Sequence, residues 1–210
     1  VSRFRRIVVF AKRSLIFVVP ALLLAWSPLL SAQEKTVNYM PLKVGNKWTF
    51  KVNLGGQAVD ISQKVVKVEK KDGREVATLE TDVGGQTLAE QMGSDERGVF
   101  RYSFQGLPVD PPIQSLKLPF KKGETWEGKV SVQGQEVKST MKSEAEEEVT
   151  VPAGKYKALV VSVEMDVGGQ QITVKSWFAP NVGIVKWVFD FGGASGTSEL
   201  VKFETETEKK

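Results

Sequence analysis

Two side chains are missing altogether: the 210 residues include no cysteine and no histidine. Without cysteine there is no disulfide framework, no thiolate zinc site and no cysteine to carry a lipid anchor. The fold must therefore rest on its core, and a chain of this length can build one as a single domain. Without histidine the side chain most used as a general base near neutral pH is gone, and with it the Ser-His-Asp and Cys-His nucleophile systems. Acid is missing from one end, since no Asp or Glu precedes Glu34. Beyond that end, no segment keeps a 3.6-residue apolar period over eleven residues, so no helix is expected there.

What is present begins with a targeting pattern. Residues 1–13 carry Arg3, Arg5, Arg6, Lys12 and Arg13, and residues 14–32 are uncharged and apolar, ending in Ala32. A basic stretch, an apolar stretch and a small residue before polar sequence form a secretory signal, expected as a helix over 1–32. Cleavage after Ala32 is the expectation, although Leu30 stands where a small residue is usual. The alternative is an uncleaved membrane anchor, for which Ser14–Ala32 is just long enough. Pro20 and Pro28 interrupt such a helix, and the basic side stays cytoplasmic in either case. Val1 in place of Met points to a non-standard start codon.

The whole chain carries 29 Lys and Arg against 25 Asp and Glu, a formal +4. The five bases before residue 33 account for this excess and leave 24 bases against 25 acids over 33–210. A near-neutral domain has no electrostatic footprint for a phosphate backbone, so nucleic acid is excluded as a partner.

From residue 45 onward apolar residues recur with period 2. Trp48, Phe50, Val52 and Leu54 alternate with polar residues, as do Leu159, Val161, Val163, Met165 and Val167, then Ile172 and Val174, then Val185, Trp187, Phe189 and Phe191. Half-buried strands require this, because successive side chains point to opposite faces. Gly55-Gly56, Gly84-Gly85 and Gly168-Gly169 sit between runs, with Gln133-Gly134 a variant. Gly-Gly takes the positive φ angles of two-residue hairpins without steric cost. Strands are expected near 47–54, 57–69, 74–83, 86–92, 98–104, 125–132, 135–151, 156–167, 170–179, 183–191 and 197–205. Tight turns make neighbours antiparallel. The predicted fold is all-β: an antiparallel meander of ten or eleven strands forming a strongly curved sheet, half-barrel or open barrel. Residues 33–210 are read as a single β domain with 204–210 a polar tail. Leu107–Leu118, with Pro108, Pro111 and Pro112, reads as a crossing loop.

Pro41-Leu-Lys43-Val-Gly45-Asn-Lys-Trp48 and Pro119-Phe-Lys121-Lys-Gly123-Glu-Thr-Trp126 share the form P-x-K-x-G-x-x-W, 78 residues apart. Duplication and convergent turn chemistry explain this equally well. The stretches Tyr39–Trp48, Val151-Pro-Ala-Gly-Lys-Tyr156 and Trp177-Phe-Ala-Pro-Asn-Val-Gly-Ile-Val-Lys186 resemble a bacterial exported or envelope β protein family of unknown function. The resemblance implies a single-sheet β fold, distantly similar in shape to the half-barrels of lipoprotein carriers. It brings no activity and no catalytic residues. Asn181 or Gly183 is expected to take positive φ in the loop between the last two motif strands.

Two acidic groups invite chemistry. Glu144, Glu146, Glu147 and Glu148 lack the interleaved Gly and Asn of a calcium loop and read as a solvated strand end. Asp95 and Glu96 are adjacent in a polar turn, with no second carboxylate fixed at a glycosidase distance. No metal, cofactor or catalytic residue is expected. The candidate ligand residues are the aromatics Trp48, Trp126, Trp177, Trp187 and Phe189, which either line an apolar pocket on a concave face or form ordinary core. The expected function is a non-enzymatic extracytoplasmic binding module, periplasmic or secreted, for an apolar or lipid-like ligand. The alternative is a structural or protein–protein interaction domain with an envelope protein as partner. Membrane contact is expected only through residues 14–32, if they are retained.

Overall fold

The structure, a computed structural model, describes residues 37–132 and 135–206. The predicted signal segment 1–32, the Gln133-Gly134 turn and the last four residues of the predicted tail lie outside the described residues.

Twelve strands form one antiparallel sheet. They are β1 (Lys47–Leu54), β2 (Gln57–Lys71), β3 (Arg74–Val83), β4 (Gln86–Asp95), β5 (Gly98–Phe104), β6 (Leu107–Lys117), β7 (Thr125–Val132), β8 (Gln135–Val151), β9 (Gly154–Val167), β10 (Gln170–Ala179), β11 (Gly183–Asp190) and β12 (Ser195–Glu204). There is no α-helix among the described residues. The strand order is β6-β5-β4-β3-β2-β1-β12-β11-β10-β9-β8-β7. Every ladder joins sequence neighbours except one, the antiparallel pairing of β1 with β12. That ladder curls the two halves of the meander into a nearly closed barrel-shaped sheet. The Gly-Gly turns take the expected geometry, with φ of 56° and 83° at Gly55 and Gly56 and near-identical values at Gly84-Gly85 and Gly168-Gly169. Asn181 and Gly183 both have positive φ.

The predicted loop at Leu107–Leu118 is corrected to strand β6. Prolines cannot donate to a ladder, which argues against a central strand. They are tolerated here because β6 is an edge: it pairs with β5 on one side only, and the ladder jumps from Ile113 to Pro108 across Val109–Pro112. The strand count is accordingly twelve, where ten or eleven were expected.

The 78-residue echo extends well beyond its motif. Strands β1 and β7 start and end 78 residues apart. Gly45 N–H donates to Val65 O at 2.9 Å, and Gly123 N–H donates to Ser143 O at 2.7 Å. Val65 N–H returns a bond to Asn46 O and Ser143 N–H returns one to Glu124 O, both at 2.9 Å. The following bulges fall between Val65 and Lys67 and between Ser143 and Ala145. Shared turn chemistry accounts for a turn. It does not account for a matching bulge on the next strand, which two related halves do.

The halves differ in one respect. Strand β1 pairs with β12, whereas the equivalent pair, β7 and β6, has no ladder among the described residues. Two side-chain links cross that seam instead: Trp126 Nε1 donates to Gln114 O at 2.7 Å, and Lys117 Nζ meets Glu124 Oε1 at 2.6 Å.

Three surface carboxyls are held below their ordinary range. Asp95 is held there first by its hydrogen bond from Arg97, Glu124 by that from Lys117, and Glu144 by that from the Ser162 hydroxyl and then Lys142. A carboxyl depressed in the folded state adds stability that is full above its unfolded value and is lost as pH falls through its folded value. With no histidine, no side chain with an ordinary pKa titrates between about pH 5 and 8. The urea midpoint followed by tryptophan fluorescence is therefore expected to stay level from about pH 8 to 5 and to fall below about pH 4. A midpoint that shifts between pH 5 and 8 would contradict this.

Candidate functional site

Alternation assigns each strand residue to one of two faces, and the register carries the assignment from strand to strand. Trp48, Phe50, Val52 and Leu54 share the inner face with Gln63, Ile61 and Val59 of β2 and with Phe203, Leu200 and Ser198 of β12. Continuing around, Leu79, Thr81 and Val83 of β3, Leu88, Glu90 and Met92 of β4, and Val99 and Arg101 of β5 face inward.

The two ends of this inner face differ. The end that holds residues 37–46 is packed: Met40, Trp48, Val65, Leu79, Met92, Val99, Leu116, Phe178, Ile184 and Leu200 are all buried. The opposite end carries the Gly-Gly hairpins, the Gln105-Gly106 turn and the 191–194 turn. There the inward-facing Leu54, Val59, Val83, Leu88, Phe104, Leu107 and Phe191 are 37–55% exposed. An apolar rim on the inner face of a curved sheet is an open mouth. A solvated rim would carry polar side chains at these positions, so the apolar choice is informative.

Between rim and packed end lies a cavity of about 160 Å³. Strands β5, β6 and β8 contribute Arg101, Ile113, Ser115, Ser139 and Met141; strands β9, β10 and β11 contribute Val163, Met165, Val174, Ser176, Phe178, Ile184 and Trp187. Gly128 of β7 leaves this wall thin. A Cβ there would stand 3.0 Å from both Met141 Cε and Ser139 Oγ of the paired β8 and 3.4 Å from Ile113 Cγ1 across the seam, so these neighbours occupy its side-chain space.

A polar group reaches the wall through Arg101. Glu90 Oε2 and Arg101 Nε stand 3.3 Å apart, and Glu90 Oε1 accepts a 2.6 Å bond from Gln63 Nε2. The Arg101 guanidinium also lies over the Phe104 ring at 5.1 Å, which ties it to the rim.

The five aromatics singled out by sequence separate into four settings. Trp48 is a packed-end anchor: it stacks on Phe203 at 5.1 Å, and its indole N–H donates to Val182 O at 2.6 Å. Trp187 lines the cavity and packs against Phe50 at 4.9 Å, and Phe189 follows it toward the mouth beside Phe191 at 5.1 Å. Trp126 faces inward at the seam, paired in register with Met141. Trp177 takes the outer face, between the cavity-lining Ser176 and Phe178. It is covered there by Lys175 and Lys186 and donates to Glu147 Oε2 at 3.2 Å. Arg101, Ser139 and the apolar rim had escaped the aromatic pattern. Their signal was a polar residue at an inward position of an otherwise apolar alternation, as in Val99–Arg101 and Val137–Ser139–Met141.

Acidic candidates of both groups are paired with bases. Glu144, Glu146, Glu147 and Glu148 meet Lys142, Lys157, Lys175 and Lys155 respectively. Asp95 pairs with Arg97 beside an outer-face recess of about 330 Å³, where Arg74 and Arg97 flank Phe100. No cluster of three or more potential metal ligands occurs among the described residues.

Comparison with known proteins adds a fold-level likeness. A family profile described as DUF3108-like matches residues 115–187, about a third of the chain, from late β6 into β11. Among solved structures, the chain is similar to one from Parabacteroides distasonis ATCC 8503, presented as a candidate lipoprotein. The identity is 13% and the TM-score 0.53, covering 81% of this chain and 100% of that one. It is also similar to a structure from Bacteroides fragilis NCTC 9343, presented as a candidate exported protein with a YmcC-like fold. There the identity is 16% and the TM-score 0.52, covering 80% of this chain and 100% of that one. At these identities the likeness concerns fold. No curated protein matches the chain.

Proposed function

We propose that residues 33–210 form a non-enzymatic extracytoplasmic domain that binds an apolar or lipid-like ligand on the inner face of its sheet. The observation that carries this reading is the apolar rim, seven exposed side chains of inward orientation around the open end, leading to an internal cavity. Gln57, Gln86 and Gln170 also stand at this rim, but Leu54, Val59, Val83 and Leu88 beside them carry apolar surface outward, as a ligand groove requires. The basic and then apolar order of residues 1–32 supports export. The prolines along β6 count against a partner added at that sheet edge.

Protein purified without detergent from its native envelope is expected to release a reproducible apolar compound on solvent extraction, identified by mass spectrometry. The stripped protein is expected to bind the neutral probe N-phenyl-1-naphthylamine at one site. Val163→Phe, which fills the cavity from β9, is expected to weaken that binding about tenfold with an unchanged far-UV spectrum. A protein that extracts empty and binds no probe would defeat the proposal.

A further inference from the structure

The cavity wall is not uniformly apolar, and its polar atoms indicate a ligand chemistry. Arg101 is the one cation among the residues lining it. Its Nε is enclosed and has no well-directed acceptor: Glu90 Oε2, itself without a hydrogen bond, stands 3.3 Å away. Ser139, 3% exposed, also lines the cavity, and its Oγ has no partner. Buried donors left unmet are uncommon and destabilising, so two on one small cavity call for an explanation. The Ser115 and Ser176 hydroxyls line the same space.

We infer that the ligand is a single-chain amphiphile with a carboxylate head group, held by Arg101 and Ser139 with its chain along the apolar wall and rim. This rests on the binding function proposed above and specifies its ligand class. The unmet Arg101 group only donates, and a serine hydroxyl can donate as well. A carboxylate offers acceptors alone and forms the shorter, stronger charge-assisted bonds. Glu90 balances the arginine when the site is empty, and Arg101 but not Glu90 lines the cavity. Val163, Met165, Val174 and Trp187 give the chain an apolar wall, and methionine adapts to a flexible chain. The cavity of about 160 Å³ falls below the roughly 300–1,000 Å³ of drug-sized pockets, so it takes part of one chain and not two abreast. The rest of the chain lies against Phe104 and Leu107 at the mouth.

The test compares palmitate with hexadecanol, which share a chain and differ in head group, by displacement of N-phenyl-1-naphthylamine from the stripped protein at pH 7.5. Palmitate is expected to bind at least about tenfold more tightly. Arg101→Gln should remove most of that preference. Ser139→Ala should lower palmitate affinity severalfold without touching charge. Because Arg101→Gln leaves Glu90 unbalanced, the double variant Glu90→Gln with Arg101→Gln, checked by far-UV circular dichroism, supplies a charge-neutral background for the same comparison. Equal affinities in the unaltered protein would overturn the carboxylate head group and leave the binding function standing. Failure of both compounds and of the probe would overturn the binding function itself. A preference that survives both Arg101→Gln and the double variant would overturn the assignment to Arg101.

Discussion

Trp48→Ala is expected to lower the unfolding free energy by about 4 kcal/mol, read from urea denaturation. Trp48 is 1% exposed and belongs to the largest fully buried side chains. Truncation opens a cavity at the packed end, removes the stack on Phe203 and leaves Val182 O without its indole donor. These losses fall on both halves of the meander at once, since Trp48 belongs to β1, Phe203 to β12 and Val182 to the β10–β11 turn. Trp48→Phe keeps most of the volume and loses the hydrogen bond, so it should cost only about 1–2 kcal/mol. If the two substitutions proved equally mild, the packed end would not be the core of the sheet.

Gly98→Ala is expected to be at least as damaging, about 4 kcal/mol or more, and to appear as failure of soluble expression or a lowered thermal midpoint. Gly98 opens β5 with φ of 131°, and a Cβ there would stand 1.8 Å from Leu116 O on β6. The obstacle is backbone of the paired edge strand, which no rotamer change relieves. Gly55→Ala is the control. Its φ is 56° with nothing within 4 Å, so it meets the left-handed penalty alone, about 1–2 kcal/mol. Similar outcomes for the two would mean that the β5–β6 ladder bends freely around position 98.

Most of the strands were legible because two signals agreed. Period-2 alternation fixed the runs, and Gly-Gly fixed the hairpins between them, so β1, β3, β5 and β10 fall where the pattern predicted. Strand β6 was hidden by Pro108, Pro111 and Pro112, since proline content cannot distinguish an edge strand from a loop without knowing which strand lacks a neighbour. The aromatic inventory was a poorer guide to the site. Aromatic rings serve core and pocket alike, and the alternation through Ile172 and Val174 already placed Trp177 on the opposite face. Arg101 and Ser139 could be read only once the register showed which way their positions point.

The β1–β12 ladder also has a kinetic meaning. The other ladders of the sheet join strands adjacent in sequence and can form as local hairpins, with little chain to organise. Pairing Trp48 with Phe203 closes a loop of nearly the whole domain, and the entropy of that closure must be met before the contact repays it. Until it forms, β1–β6 and β7–β12 are two separate six-stranded ribbons joined by the segment between Lys117 and Thr125. The cavity does not exist in either ribbon, because its wall draws on β5 and β6 from one and β8 to β11 from the other. The cavity is therefore complete only when the two ribbons are joined.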